Sequence, residues 1–447
     1  MLLRARIVLP LSQPPIEDGA VLISGERITA VGRWSDLAHA TGRPATDLGE
    51  SILLPGLINA HCHLDYTDMA GKIAPPKVFS DWIKAILALK AEWSYSDFAQ
   101  SWLRGAQMLL GNGTTTVADM EAVPELVPDI WSTTPLRVIS FRELINLKGG
   151  DLARELVQTA AGEWATLGNT ANVESPNDSP EPQEPVPSHP RTLPGREKLA
   201  STAQVSSAAR VGLSPHAPYS TTSPLLQCAA QMARRHRWLL TTHIAESEAE
   251  FEMFMRRRGA LYDWLRSQRD MSDCGHVSPV QYLEGCEYLS ENLLGIHVNY
   301  LASDDAAILA RHKVNVVHCP ISHRYFGHRC FPYPELAKAG LNIALGTDSL
   351  ASTPKSNKQA PELNLFAEMQ VFANQWPELS PTTILRMSTL NPAAALGRGG
   401  QIGEISPNAL ADLIVLPFAG NMGSAEEAVL HHAGPVHRSM INGQWVK

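Results

Sequence analysis

Residues 57–64 read LINAHCHL, an apolar run that ends in two histidines, and this stretch is the first of eight with the same form. Helical stretches such as residues 78–93 and 223–237 separate the runs. The other seven start at residues 114, 136, 210, 238, 292, 314 and 341 and read TTTVADM, LRVISFREL, RVGLSPHA, WLLTTHIAE, NLLGIHVNYL, VNVVHCPIS and LNIALGTDS. Strands that alternate with helices indicate a parallel sheet. Eight such units predict an α/β fold, a (β/α)8 barrel with its active site at the carboxyl ends of the strands.

The two ends of the chain have a different pattern, with short β-rich runs broken by turn signals. Residues 1–53 and 403–447 therefore predict one small β-sandwich domain built from both termini, and Asn442-Gly443 predicts a hairpin within it. We assign residues 54–402 to the barrel domain. Within that domain, residues 169–195 are rich in proline and poor in large apolar side chains, so we expect a disordered insertion there.

The composition excludes several classes of function. A formal net charge of −8 argues against a protein that binds nucleic acid, since such proteins present a basic face to the phosphate backbone. No run reaches the length of about 18 apolar residues that a membrane span needs, and MLLRARIVLP at the N-terminus is too short for the apolar core of a signal peptide. Six cysteines without a CxxC pair indicate reduced thiols. We therefore expect a cytoplasmic protein without a membrane partner.

Sixteen histidines are an excess, and several of them close predicted strands. Residues two apart in a strand point to the same face, so His61 and His63 could chelate one ion, although two ordinary strand-end histidines would have the same spacing. His243, His297 and Asp348 close three further strands, which favours a metal site. A ligand set of three neutral imidazoles and one carboxylate suits zinc or ferrous iron and leaves one coordination position for water. A bound metal would lower the pKa of that water and supply hydroxide as the nucleophile.

These motifs together resemble those of the amidohydrolase superfamily. The matching segments are PGLINAHCHL at residues 55–64, HIAE at 243–246, the histidine of the sixth strand and GTDS at 346–349. The resemblance covers essentially the whole chain apart from the insertion. It is strongest to the mononuclear branch, which holds cytosine, guanine and S-adenosylhomocysteine deaminases and triazine hydrolases. The fourth strand, RVGLSPHA, lacks the lysine that bridges two metals in the binuclear branch.

The resemblance implies a role for each residue of the site. One divalent metal, which we expect to be zinc with iron as the alternative, would be held by His61, His63, His243 and Asp348. Glu246 corresponds to the proton shuttle that deamination needs, although it could also serve only as a favourable charge near a helix N-terminus. The resemblance implies that His297 hydrogen-bonds the water or the developing oxyanion and that Asp348 also orients the hydroxide. We expect the nearby Glu248 and Glu250 to be solvated.

Further residues correspond to positions around the substrate pocket. His216, in SPHAPYS, matches a histidine that contacts the substrate in nucleoside-deaminating relatives, and a satisfied core histidine is the alternative. The segment VVHCPISH departs from the family pattern at Cys319 and His323, where the relatives have asparagine, and HVNYL departs from the common HCVHL at Asn299. We nevertheless expect the loop that carries His318 and His323 to line the pocket.

Two aromatic residues and one acidic residue are additional candidates for contact with the substrate. Trp82 and Tyr66 could stack on a base, and Glu143, at the end of the third strand, could contact a hydroxyl group or a ring nitrogen. Hydrophobic packing and a capping charge are the respective alternatives. The segments HLDYT, FSDWIKAI and PHAPYS resemble most closely the aminodeoxyfutalosine deaminases of the menaquinone route, followed by purine-nucleoside deaminases.

The expected function is metal-dependent hydrolytic deamination of an aminated nitrogen heterocycle, with release of ammonia. An aminopurine nucleoside is the expected type of substrate, and aminodeoxyfutalosine is one candidate. Hydrolysis of a triazine or of a cyclic amide by the same chemistry is the alternative. A non-catalytic binding protein is a third possibility, but the retention of all the site residues argues against it. We further expect a homodimer that acts on a small molecule.

Overall fold

The structure is a computed structural model that describes residues 1–41, 45–170, 211–354 and 360–447. Most of the expected proline-rich insertion, residues 171–195, lies outside the described residues. The strands, numbered in chain order, are β1 Leu2–Val8, β2 Ile16–Ser24, β3 Arg27–Arg33, β4 Ala45–Asp47, β5 Ser51–Pro55, β6 Leu57–Cys62, β7 Thr114–Glu121, β8 Arg137–Leu144, β9 Val211–Pro215, β10 Leu239–Ile244, β11 Leu293–His297, β12 Asn315–His318, β13 Ile343–Leu345, β14 Leu413–Pro417, β15 Arg438–Ile441 and β16 Gln444–Trp445.

The helices are numbered in the same way. They are α1 Trp34–Thr41, α2 Phe79–Glu92, α3 Tyr95–Gly111, α4 Val127–Trp131, α5 Asp151–Thr170, α6 Ser223–His236, α7 Glu248–Arg256, α8 Ala260–Leu265, α9 Pro279–Gly285, α10 Asp305–Arg311, α11 Pro320–Phe326, α12 Tyr333–Lys338, α13 Leu365–Gln375, α14 Pro381–Arg386, α15 Leu390–Ala395 and α16 Ala425–Leu430. Short 3₁₀ helices lie at Leu64–Met69, Pro124–Leu126, Pro218–Ser220, Leu350–Ser352 and Met422–Ser424.

The predicted barrel is confirmed. Strands β6 to β13 form one parallel sheet in chain order, and they coincide with the eight strands expected from the sequence. The last strand returns to the first at a bridge between Cys62 and Asp348, and the backbone N–H groups of Thr347 and Asp348 both donate to the carbonyl oxygen of His61 at 3.0 Å. The sheet therefore closes through the segments that carry the first and the last of the candidate metal ligands.

Helices cover the barrel because each has an apolar face that must be buried. The expected helical stretches are confirmed as α2 and α6. The buried face of α6 follows helical spacing and consists of Leu225, Leu226, Ala229, Ala230 and Ala233. This helix ends at His236. The next residue, Arg237, has a φ of +56°, in the left-handed region that commonly terminates helices. Within the described ranges, no helix combines the length and the apolar character needed to cross a membrane.

A second sheet joins the two ends of the chain, as expected. Its strand order is β16-β15-β14-β5-β1-β2-β3, with β4 beside β1. The predicted hairpin is present between β15 and β16, where Asn442 and Gly443 have φ values of +49° and +75°. Asn-Gly favours such left-handed turns. The small β domain built from both termini is thus confirmed, while its boundaries at residues 53 and 403 remain predictions.

This sheet packs on both of its faces, because successive side chains of a strand point in opposite directions. Leu53 and Val415 are buried in the core of the small domain. Residues of the opposite parity join the large core that also contains barrel residues, and these are Ile52, Leu54, Ile414 and Leu416. A buried ion pair adds a second link between the two parts, since Arg137 Nη2 in β8 lies 2.9 Å from Asp412 Oδ2. The small domain is therefore attached firmly to the barrel.

Candidate metal centre

The four expected metal ligands and the expected catalytic residue His297 come together at the carboxyl ends of four barrel strands. His61 lies in β6 and His63 just after it, His243 lies in β10, His297 closes β11, and Asp348 follows β13. Because parallel strands point the same way, their carboxyl ends form one rim, where side chains that are distant in sequence meet. All five residues are at most 7% exposed.

Asp348 is close to the two histidines of the first strand. Its Oδ1 lies 3.6 Å from His61 Nε2 and 3.9 Å from His63 Nε2. The potential ligand atoms of these three residues all lie within 4.8 Å of one another, and the same holds for the group of His61, His243 and His297. Since His61 belongs to both groups, the four imidazoles and the carboxylate surround one place at the rim.

Several ring nitrogens in this cluster are buried without a hydrogen-bond partner among the described residues. They are both nitrogens of His61, Nδ1 of His63 and Nε2 of His297. A buried polar atom without a partner costs about 1–3 kcal/mol, so such a set destabilises the fold unless something else binds it. A divalent metal ion fits this donor set, because imidazole nitrogen and carboxylate oxygen are the ligands of zinc in many catalytic sites.

The neighbouring strand orients His243. Its Nδ1 lies 2.7 Å from the backbone carbonyl oxygen of His216, so Nδ1 is the donor and Nε2 is left to bind a metal. Outer partners of this kind fix the orientation and the tautomer of metal-binding histidines. The backbone N–H of His243 donates to the same carbonyl oxygen at 2.9 Å. The residue that follows β9 therefore fixes the orientation of the His243 ring. No sequence motif predicts this contact.

Burial keeps the imidazoles of His63, His243 and His297 neutral, which is the form that binds metals. It lowers the pKa of His243 to about 3 and lowers the pKa values of His63 and His297 well below the usual value. Burial acts to raise the pKa of Asp348, but the nearby His61 and His297 outweigh this effect and hold that pKa below its ordinary value. The cluster therefore offers neutral imidazoles and one ionised carboxylate to a cation.

Two hydroxyl groups orient the carboxylate of Asp348. Ser322 Oγ donates to Oδ2 at 2.6 Å and Ser352 Oγ donates to the same oxygen at 3.3 Å, so that Oδ1 is the oxygen that approaches the histidines. The backbone of Asp348 has a φ of +54°, an uncommon conformation for a residue with a side chain. Neither serine has a role predicted from the sequence.

Glu246 lies beside His297 at the same rim. Its Oε1 is 3.7 Å from His297 Nε2, and the residue is only 6% exposed. Burial raises the pKa of Glu246 well above its ordinary value, and the charges of Asp348 and Glu250 raise it further. A carboxyl group with a raised pKa takes up a proton more readily than an ordinary carboxyl group and can return it.

The backbone of Glu246 is held on both sides. Its N–H donates to Glu250 Oε2 at 2.9 Å, and its carbonyl oxygen accepts from Asn299 Nδ2 at 2.9 Å. Asn299 Oδ1 in turn lies 3.1 Å from His323 Nδ1, which must be the donor because the amide nitrogen already donates to Glu246. Two of the three positions where the chain departs from the family pattern, Asn299 and His323, thus contact each other and support Glu246.

Glu250 corrects one expectation, because it is fully buried and not solvated. Its N–H donates to Ser247 Oγ at 3.2 Å in the first turn of α7, while its carboxylate accepts from Glu246. The spacing of Ser247 and Glu250 is that of a helix-capping box, and it is the sequence signal that predicts a glutamate turned back towards the helix start. Glu248, by contrast, is exposed as expected.

His318 and His323 correct a second expectation, because neither side chain is on the wall of the cavity beside the metal centre. His318 ends β12 and stacks on Phe331, with ring centroids 3.8 Å apart. His323 lies in α11 and is turned towards Asn299. The His318 ring, at the end of β12, thus packs on Phe331, and the His323 ring, in α11, faces Asn299, so we do not assign them contacts with the substrate.

The cavity beside the metal centre has an empty volume of about 930 Å³, which includes its open mouth. Its wall contains the remaining expected substrate contacts, which are Tyr66, Trp82, Glu143 and His216. Burial lowers the pKa of His216 to about 3, and its Nδ1 lies 2.6 Å from Ser220 Oγ. The wall also contains Lys90 and Trp264, which the sequence analysis did not single out.

Relatives of this chain include proteins named as deaminases. A protein of Syntrophobacter fumaroxidans named 5-methylthioadenosine/S-adenosylhomocysteine deaminase is 33% identical over 416 residues, which are 90% of this chain and 80% of that protein. Two solved structures have the same fold. An adenosine deaminase from Xanthomonas campestris with bound zinc has a TM-score of 0.77 at 22% identity, covering 99% of this chain and 92% of that one. An aminofutalosine deaminase from Helicobacter pylori, in complex with methylthio-coformycin, has a TM-score of 0.81 at 20% identity and full coverage of both chains.

The sequence pattern of the amidohydrolase family matches residues 52–446. This range contains the whole barrel, all the residues of the candidate metal centre and the strands that the C-terminal part adds to the second sheet. The resemblance inferred from the motifs is therefore confirmed, as is the expected class of enzyme, hydrolases that act on carbon–nitrogen bonds. Because the match extends over nearly the whole chain, this protein belongs to the amidohydrolase family.

Proposed function

We propose that this protein is a metal-dependent deaminase that replaces the amino group of an aminopurine nucleoside by oxygen and releases ammonia. The observation that carries the proposal is the set of buried, unpartnered imidazole nitrogens around Asp348, with Glu246 beside it on the wall of one cavity. The deaminase from Syntrophobacter fumaroxidans supports this reaction, since its similarity extends over 90% of this chain.

The proposed metal is one zinc ion per chain. Zinc in the Xanthomonas campestris adenosine deaminase supports this choice, and iron is the alternative for the same donor atoms. When bound, the ion lowers the pKa of a water molecule towards neutrality and so supplies hydroxide. The proposed ligands are three imidazoles and the ionised carboxylate, namely His61, His63, His243 and Asp348.

We assign the proton transfers to Glu246. Deamination forms a carbon–oxygen bond at the aminated ring carbon, breaks the carbon–nitrogen bond and consumes one water for each ammonia released. Protons must leave the water and reach the ring nitrogen and the departing amine, and one carboxylate at the rim can carry them in turn. His297, 3.7 Å from Glu246 Oε1, is placed to hydrogen-bond the oxygen that adds to the ring. Asp348 accepts from Ser322 on the opposite oxygen, which keeps its orientation fixed.

The cavity favours a flat ring with a bulky substituent. The ring of Tyr66 lies parallel to that of His63, with centroids 5.2 Å apart, and Trp82 adds a second aromatic surface. An aminopurine has its amino-bearing carbon and the adjacent ring nitrogen on one edge, so both can face the metal centre and Glu246. A ribose-linked substituent then extends along the wall that contains Glu143. Adenosine derivatives and aminodeoxyfutalosine are therefore the proposed types of substrate.

An ammonia-release screen tests the proposal. The purified protein, loaded with zinc, is assayed with adenosine, 5-methylthioadenosine, S-adenosylhomocysteine, aminodeoxyfutalosine, free adenine, guanine, cytosine and triazines. We expect a much higher kcat/KM for a nucleoside than for free adenine, because contacts with the substituent lower the barrier. A free base or a triazine as the best substrate would contradict the substrate assignment and leave the metal chemistry standing. No ammonia from any compound would contradict the enzymatic function.

Two further parts of the proposal rest on the sequence alone. We propose that the protein is a homodimer and that it is cytoplasmic. Sedimentation equilibrium and cell fractionation measure these properties directly.

A further inference from the structure

Lys90 extends from the last turn of α2 to the cavity wall. Its ammonium group donates to the hydroxyl group of Tyr66 and lies 4.8 Å from the centroid of that ring. Tyr66 is 5% exposed and stacks on His63, with an angle of 5° between the two rings. The ammonium group is thus anchored one aromatic ring away from the candidate metal ligand His63.

The cavity wall has more negatively charged than positively charged side chains. Among the described residues the wall contains three carboxylates, Glu143, Glu246 and Asp348, and Lys90 is its only lysine or arginine. Glu246 and Asp348 belong to the metal centre, and no ion pair joins Lys90 to a carboxylate in the described part of the chain. The positive charge of Lys90 also contributes to the lowered pKa of His216 across the cavity, after the larger effect of burial.

A half-buried ammonium group with one phenol partner retains donors for a ligand. Lysine has three N–H donors, and Tyr66 accepts one of them. A charged group that is partly removed from water is costly unless an acceptor of opposite charge binds it. Binding a carboxylate would satisfy this requirement. A phosphate dianion suits the wall less well, because the described wall has no arginine to bind it in two places.

We propose that Lys90, positioned by Tyr66, binds a carboxylate group on the substituent of the substrate. The inference rests on the proposed deaminase function and narrows its substrate class to purine nucleosides with a carboxylate-bearing side group. We assign Lys90 no part in the proton transfers, because Glu246 lies 3.7 Å from His297, and no hydrogen bond or ion pair joins Glu246 to Lys90 among the described residues. Lys90 therefore determines which nucleosides the protein binds as substrates.

The test compares S-adenosylhomocysteine, which has a carboxylate, with 5-methylthioadenosine, which has none, in the zinc-loaded full-length protein. Lys90→Met keeps the length of the side chain and removes its charge. Hydrogen bonds to charged groups contribute about 1.5–3 kcal/mol, so we expect kcat/KM for S-adenosylhomocysteine to fall about 10- to 150-fold. The value for 5-methylthioadenosine should change little, and Lys90→Arg should keep much of the preference for the carboxylate.

Lys72→Met is the matched control, because Lys72 also lies over an aromatic ring, 5.1 Å from the centroid of Trp93, but is exposed and not on the cavity wall. It should leave both substrates unaffected. An equal loss for both substrates in Lys90→Met, or no loss for either, would overturn the inference while the deaminase function stands. Failure of the wild-type protein to deaminate these two or any other nucleoside of the screen would instead contradict the proposed function, and the assignment of Lys90 with it.

Discussion

Replacement of Asn299 by alanine tests how Glu246, the proposed proton shuttle, is held in place. The amide of Asn299 donates to the carbonyl oxygen of Glu246 at 2.9 Å and accepts from His323 Nδ1 at 3.1 Å. Asn299 is only 4% exposed, so water has little access to the two groups that Asn299→Ala leaves without a partner. The variant therefore releases the main chain of Glu246 on one side while Glu250 still holds the other.

The magnitude follows from these two contacts. Each buried group that loses its partner costs about 1–3 kcal/mol, so the free energy of unfolding should fall by about 2–6 kcal/mol. A shift of about 1 Å away from the reacting geometry can reduce a rate about 10²-fold, so we expect kcat to fall about 10- to 10²-fold. KM should change little, because the lost interaction positions a group for the transition state and does not touch the substrate.

The assay is steady-state kinetics on the best nucleoside, with the melting temperature and metal content of each variant measured in parallel. Asn342→Ala is the matched control. Asn342 Nδ2 also makes two hydrogen bonds, to Asn315 Oδ1 and to the carbonyl oxygen of Asn391, both at 2.9 Å, but it precedes β13 at the opposite end of the barrel. The control should lose stability and keep kcat. Full kcat in Asn299→Ala, or an equal loss of kcat in the control, would refute the reasoning.

Other substitutions test the metal, the shuttle and the insertion. His61→Ala should lower the metal content measured by atomic emission and abolish turnover, and two tightly bound metals per wild-type chain would contradict a mononuclear site. Glu246→Gln should keep the metal but lose about 10²- to 10⁴-fold in kcat, because an amide cannot relay protons, whereas normal turnover would require another shuttle. Deletion of residues 172–188 should leave the melting temperature and kcat nearly unchanged, because the polar composition of that segment predicts that it does not pack, and loss of folding would contradict this expectation.

The barrel and the cluster of candidate metal ligands could be predicted because both depend on local sequence patterns. Eight apolar runs with strand length establish the strands, and parallel strands bring their carboxyl ends to one rim. A polar residue that closes such a run must then lie at the rim, which is why His61, His243 and Asp348 meet there. The period of two along a strand likewise places His61 and His63 on one face.

The supporting contacts could not be predicted because they depend on the paths of loops and helices between the strands. Ser322 meets Asp348, 26 positions along the chain, only through the direction that α11 takes after β12. The same helix turns His323 away from the cavity and towards Asn299. Lys90 reaches the wall because α2 lies along the cavity, and amphipathic spacing alone does not specify where a helix packs.

Metal dependence of ammonia release is the most direct test of the central claim, that this cluster holds a divalent ion for the deamination of a purine nucleoside. The protein is assayed on its best nucleoside as purified, after removal of metal by a chelator, and after addition of one equivalent of zinc. We predict one ammonia for each nucleoside converted, loss of this activity in the metal-free protein and its return with zinc. Ammonia release that continues undiminished in the metal-free protein, or conversion of the nucleoside without ammonia, would contradict the account.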